Sequence, residues 1–243
     1  MNTKTTLDNQ ALLAFWNQTF LIPEEEKEAA RREGIGGLEE LAPSKKLFDA
    51  VCNLGSRKKV LDYGCGNGWA AVIAAKSGCP DVTAADLAPN AVDAAKFLSE
   101  LLEVTDRVHT ICINEQWLKN VPSDSYDGLF CSNVLDVVPP ETAEEILREI
   151  ARVATEDAEV VISLNEYLAP ETAAEKGEEL TADRALYIDG VLRLVSRSDE
   201  EWAAFFAPFF HVEGPEYFAW PGETEEKRRI FRLHKRQSVC TIK

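Results

Sequence analysis

Among its 243 residues the chain has little of what builds metal centres or disulfide frameworks. There are 3 histidines, all isolated, and 6 cysteines: Cys52, Cys65, Cys79, Cys112, Cys131 and Cys240. No CxxC pair or framework spacing relates them, so the pattern predicts free thiols in a reducing cytoplasm and no metal site. Positive charge is also scarce, with 26 Lys and Arg against 42 Asp and Glu and a formal net charge of −16. A surface of that sign repels phosphate polyanions, which argues against nucleic acid as a partner. The one dense basic stretch, Lys227-Arg228-Arg229 with Arg232, Lys235 and Arg236, reads as the exposed face of a terminal strand. No run approaches the ~20 apolar residues of a membrane span. Met1-Asn2-Thr3-Lys4 leads into a polar segment and not a signal sequence, so a cytoplasmic chain without a membrane partner is expected.

What is present is the composition of a globular protein, 45% hydrophobic and 28% charged, at a length that suits one large domain. Short runs rich in Val and Ile alternate with longer segments of helical period, which predicts an α/β doubly wound fold with a mostly parallel sheet. Strands are expected near 59–62, 81–86, 108–113, 127–131 and 159–164. Pro89 stands where a first helical turn favours it, ahead of an apolar stripe through Ala91, Ala94, Leu98 and Leu101. A second helix carries Glu141, Glu144 and Glu145 early and Arg148 and Arg152 late, in keeping with its dipole. Residues 1–40 hold two amphipathic helices, near 7–20 and 24–33, and read as a lid hinged at Gly34, Gly36 and Gly37. The main domain covers 41–243. Within it, 166–194 forms a second cover whose hairpin turns at Asp189-Gly190. A helix near 199–207 and strands near 209–218 and 229–234 complete the chain.

The chemistry concentrates in Val60-Leu61-Asp62-Tyr63-Gly64-Cys65-Gly66-Asn67-Gly68, an apolar strand running into a glycine turn that opens a helix. Glycines let backbone N–H groups approach a ligand at a helix N-terminus. A dinucleotide fingerprint places its third glycine where Trp69 stands, and Asp62 repels a pyrophosphate while suiting an ammonium group. An NAD-linked oxidoreductase is therefore the weaker reading. Asp86 ends the second strand, where a carboxylate accepts hydrogen bonds from ribose hydroxyls.

This segment resembles the first motif of class I S-adenosylmethionine-dependent methyltransferases, and further motifs follow in order. The resemblance implies a Rossmann-like seven-stranded sheet with helices on both faces and S-adenosylmethionine as methyl donor. It places Asp62, Gly64, Cys65, Gly66, Gly68, Asp86 and Leu87 at the cofactor. In Ile113-Asn114-Glu115-Gln116 it puts an acidic or amide side chain against the adenine, with Glu115 first, Asn114 as the alternative and Gln116 beside them. Ser125 to Leu135 resembles the fourth-strand motif, with Asn133 along the methionine portion. Asp136 and Val137 replace a pair of histidines found in many small-molecule members. Ala14-Phe15-Trp16-Asn17 is similar to an aromatic segment that folds over the cofactor, which makes Trp16 a candidate contact.

Methyl transfer by in-line displacement to a small or medium-sized organic acceptor is the implied function, with S-adenosylhomocysteine as product. The enzyme chiefly positions the nucleophile, about 3 Å from the methyl carbon. Asp136 and Glu166 are the candidate bases if a proton must be taken. Phe15, Trp16, Tyr167, Tyr187 and Trp202 are the expected aromatic surface of the acceptor pocket. A non-catalytic nucleoside-binding domain remains the alternative, and the sequence leaves acceptor and oligomeric state open.

Overall fold

The computed structural model describes residues 3–236, so Cys240 and the first two residues lie outside the description. Five strands form the parallel part of the sheet: β1 (Val60–Tyr63), β2 (Val82–Asp86), β3 (Val108–Cys112), β4 (Tyr126–Ser132) and β5 (Ala154–Leu164). A hairpin of β6 (Ala185–Ile188) and β7 (Val191–Val195) stands apart, and β8 (Phe210–Phe218) and β9 (Arg228–Lys235) follow. The seven-stranded order is β3-β2-β1-β4-β5-β9-β8, with β9 antiparallel to both neighbours. All four residues of β1 are buried, as expected of a strand covered on both faces.

Alternation along the strands divides the core into two layers. Val60, Val82, Val161 and Ile230 pack with α3 (Lys45–Leu54), α4 (Trp69–Lys76) and α5 (Pro89–Leu101). Leu61, Leu129, Ile162 and Phe231 pack on the other face with α6 (Trp117–Asn120), α7 (Pro140–Val153) and α9 (Asp199–Phe206). Local chemistry sets the helix starts. The Ser44 hydroxyl accepts from Leu47 N at 3.2 Å, Pro89 and Pro140 open α5 and α7, and Ser198 with Glu201 forms a capping box on α9. β1 is flanked by β2 and β4, so successive connections run to opposite sides of it and a crevice opens at the carboxyl ends of these strands.

That crevice is roofed by α1 (Thr3–Thr19) and the β6–β7 hairpin. Leu12 packs with Ala185, Leu192 and Val195, and the Arg193 guanidinium sits 4.1 Å over the Phe15 ring. Asp189 and Gly190 turn the hairpin with φ of 52° and 78°, the left-handed pair of a type I′ turn. Between α1 and α3, α2 (Glu24–Glu33) buries no residue. In the second cover, α8 (Pro170–Glu175) precedes the hairpin.

The basic stretch is not the exposed face of a terminal strand. β9 lies inside the sheet, and Arg229 is 1% exposed, donating to Asn165 O, Arg197 O and Asp199 Oδ1. Arg232 pairs with Glu159, and Lys235 with Asp124. Charge spacing cannot reveal this, because burial here is set by β5 and α9, which lie far away in sequence. The five described cysteines are free. No helix among the described residues is long and apolar enough to cross a membrane.

Candidate functional site

The loop from β1 to α4 is held open by its own backbone. Gly64 and Cys65 both donate to Ala85 O, at 2.8 and 3.1 Å, and Gly66 N donates to Asp86 Oδ2 at 3.0 Å. The other Asp86 oxygen accepts from Ala88 N at 2.8 Å, so one carboxylate ties the glycine turn to the start of the β2–α5 loop. Two glycines are required by geometry. At Gly68 (φ 79°) a Cβ would lie 2.6 Å from the Ala95 Cβ, so the close packing of α4 on α5 depends on it. At Gly66 (φ 53°) a Cβ would lie 2.8 Å from Phe20 Cζ.

Below the loop, Asp62 is 2% exposed and accepts from Ala71 N at 3.1 Å, anchoring the first turn of α4. Burial pushes its pKa up to about 7, the Ala71 N–H opposes the shift, and the neighbouring Asp86 charge adds to it. Burial also raises Asp86 and lifts the Cys65 thiol well above its ordinary value, which keeps that thiol neutral. After β4, Asn133 adopts φ 54°, donates from its N–H to Ser163 O and accepts from the Ser132 hydroxyl at 3.1 Å.

These groups surround a cavity of about 440 Å³. Asp62, Gly64, Cys65, Gly66, Asp86, Leu87, Glu115 and Asn133 line its floor, and Leu12, Trp16 and Phe20 its roof. Of the acidic–amide pair after β3, Glu115 reaches the wall and accepts from Asn9 Nδ2 at 3.2 Å. Asn114 and Gln116 are exposed and off the lining; Asn114 Oδ1 accepts from Gln116 N in a local turn. Gly68 is also off the lining and serves the α4–α5 contact.

Neither candidate base faces the cavity. Asp136 is fully buried, with one oxygen accepting from Asn165 N (2.6 Å) and Asn165 Nδ2 (2.9 Å), and burial raises its pKa. Its backbone oxygen accepts from Val195 N, so the residue braces the hairpin against the end of β4. Glu166 lies off the lining, 3.5 Å from Lys176 Nζ. Of the five aromatics expected around the acceptor, only Trp16 lines the cavity. Trp202 is wholly buried on Phe206, Phe15 lies under Arg193, Tyr187 donates to Asp8, and Tyr167 is exposed and off the lining.

Phe20, which stacks on Trp16, and Val138 carry no signal in the sequence, because their apolar spacing is indistinguishable from ordinary core. Phe130, edge-on to Trp69, and Val134 belong to the fourth-strand motif, and with Val137 they complete the lining after β4. Among the described residues no group of three His, Cys, Asp or Glu side chains could hold a metal ion.

Residues 60–157 match a family described as a methyltransferase domain. A ubiquinone biosynthesis O-methyltransferase of Neisseria meningitidis serogroup C is 28% identical over 62% of this chain and 58% of its own length, so the chain spans little more than half of that relative. A ribosomal protein L11 methyltransferase of Cupriavidus metallidurans is 46% identical over 20% of this chain and 16% of its own. In structure, a Burkholderia thailandensis 1,6-didemethyltoxoflavin-N1-methyltransferase, with 1,6-didemethyltoxoflavin and S-adenosylhomocysteine bound, superposes with a TM-score of 0.63 at 18% identity. The match covers 87% of this chain and 86% of that one. These matches make residues 60–157 similar to a methyltransferase domain, and the likeness to solved structures extends the same fold, with its strand order, over most of the chain.

Proposed function

We propose that the protein transfers the methyl group of S-adenosylmethionine to a small or medium-sized organic acceptor. The observation that carries this reading is the cavity floor, where Asp86 is fixed by two backbone N–H groups beside an open glycine turn, with Asp62 and Asn133 at one end and Glu115 at the other. The donor set fits the cofactor: a carboxylate for the ribose hydroxyls, an acidic side chain for the adenine amino group, and buried Asp62 for the cationic methionine end.

When bound, the cofactor supplies an electrophilic methyl on a sulfonium centre. The chain's own contribution is to orient that methyl, exclude water beneath α1 and the hairpin, and hold the acceptor in line. No covalent enzyme intermediate is needed. The two relatives with small-molecule names methylate oxygen and nitrogen respectively, which supports a small-molecule acceptor without choosing its atom. Calorimetry with S-adenosylhomocysteine and with NADH tests the reading. Binding of the first alone supports it, and binding of NADH alone overturns it.

A further inference from the structure

The cavity continues past the cofactor floor to a wall of different character. Leu12 and Trp16 of α1 and Val134, Val137 and Val138 after β4 make it apolar. The charged side chains along the lining are carboxylates, with the single exception of Lys119, whose ammonium is 3.1 Å from Glu145. Each carboxylate is already engaged. Asp62 and Asp86 accept backbone N–H groups, Glu115 accepts from Asn9, and Glu149 is paired with Arg152 at 2.7 Å. Asp136 and Glu166, nearest the strand ends, are held outside.

Two requirements on the acceptor follow. A carboxylate-lined, partly desolvated cavity resists a further anion and raises the pKa of any phenol brought into it, so an oxyanion nucleophile is disfavoured. An aliphatic amine arrives protonated, with no lone pair to offer, and the engaged carboxylates are poorly placed to relieve it of a proton. A weakly basic aromatic nitrogen meets both conditions, since it is neutral at physiological pH, carries its lone pair and has an apolar body that suits the valine and tryptophan wall.

We propose that the acceptor is an uncharged ring compound methylated on a neutral aromatic or aryl nitrogen. The proposal rests on the methyl-transfer reading above. The nitrogen lone pair forms the new N–C bond as the C–S bond breaks, and that bonding pair stays on sulfur in the departing thioether, S-adenosylhomocysteine. Positive charge passes from sulfur to nitrogen; a nitrogen that bore a hydrogen then loses it to solvent. The reacting pair stays cationic until that loss, so the carboxylate-lined cavity favours the charge at both ends of the transfer. An anionic nucleophile would instead enter against the same field.

The test uses one quinoline ring carrying an amine, a hydroxyl or a carboxylate at the same position, titrated into the full chain saturated with S-adenosylhomocysteine. The amine is expected to bind, with the carboxylate weaker by about tenfold or more. With S-adenosylmethionine in place of the product, mass spectrometry of a mixed library of heteroaryl amines and phenols is expected to show N-methyl products. Val138→Lys, at a half-buried wall position, should bring the carboxylate to parity or better while S-adenosylhomocysteine still binds. A carboxylate that matches the amine in the wild type, no binding of any neutral ring compound, O-methyl products alone, or an unchanged preference in a folded Val138→Lys protein each overturns the proposal. Failure of S-adenosylhomocysteine to bind is scored first and overturns the methyl-transfer reading itself. Should Val138→Lys not fold, the wild-type series decides.

Discussion

The floor and the roof of the cavity are built by different means. On the floor, the fixing bonds are short in sequence and run to backbone: Gly66 N and Ala88 N to Asp86, Ala71 N to Asp62. On the roof, side chains reach across most of the chain, with Tyr187 to Asp8, Thr5 to Glu141, and Asn9 to Glu115. The roof's apolar cluster has four buried members, Leu12, Ala185, Leu192 and Val195, whereas the floor rests on the two large core layers. A floor of that kind is preorganised for its ligand. A roof with so little buried area belongs to the low-stability end of the molecule and is expected to open first.

The largest effect should come from the floor. Asp86→Ala removes the acceptor for two N–H groups and the proposed ribose contact, and is expected to weaken S-adenosylhomocysteine about 100-fold, abolishing its thermal shift. An unchanged shift would break the assignment of the floor to the cofactor. On the roof, Leu12→Ala should cost about 2 kcal/mol, a cavity cost that falls on local opening. Hydrogen exchange should accelerate in α1 and in β6–β7 while β1 and β4 keep their protection. Equal acceleration in all four would erase the contrast between the two regions.

Asp62 sharpens the comparison through pH. Its folded pKa, about 7, lies above the ordinary carboxylate value, so the native state holds a proton that the unfolded chain has released. The sign follows: this group's contribution to stability falls as pH rises from about 4 to about 7, then stays flat. Asp62→Asn is expected to remove most of that decline in the ligand-free protein, read from denaturant melts across the window. Asp86 and Asp136 are raised in the same direction and leave a residual slope. Wild-type affinity for S-adenosylmethionine should increase through pH 7 as Asp62 ionises, and this increase should vanish in Asp62→Asn. The smallest effect is expected of Asn9→Ala, which deletes an exposed contact to Glu115 and should change cofactor affinity by less than about fivefold. A larger loss would mean that roof and floor are coupled at the adenine end.

The legible parts of the molecule were those decided within about twenty residues. The glycine turn, Asp86 and the Asp189-Gly190 hairpin depend on local backbone conformation, and the strands alternate with helices as their apolar runs predict. Misjudged features depend on what comes to lie against them. β5 begins at Ala154, ahead of the apolar run, because Glu156 and Asp157 occupy an exposed stretch next to a register shift opposite Tyr126 and Gly128. Arg229 looks solvated in sequence, yet it is enclosed by carbonyls from Asn165 and Arg197. Asp136 follows the fourth-strand motif, where a carboxylate suggests a base. Its orientation is set instead by Asn165 at the end of β5.

The position of β9 between β5 and β8 has a consequence for how the protein is made. Synthesis delivers β8 before β9, yet among the described residues β8 pairs only with β9, and no other strand covers the outer side of β5. Until residues 228–235 clear the ribosome, the nascent chain carries an open edge along β5 and an unpaired β8, with Arg229 not yet bonded to Asn165 and Arg197. Such edges recruit other strands. A stalled or prematurely terminated product lacking β9 should therefore be a client of chaperones and proteases, even though the proposed cofactor floor is encoded entirely upstream of the break.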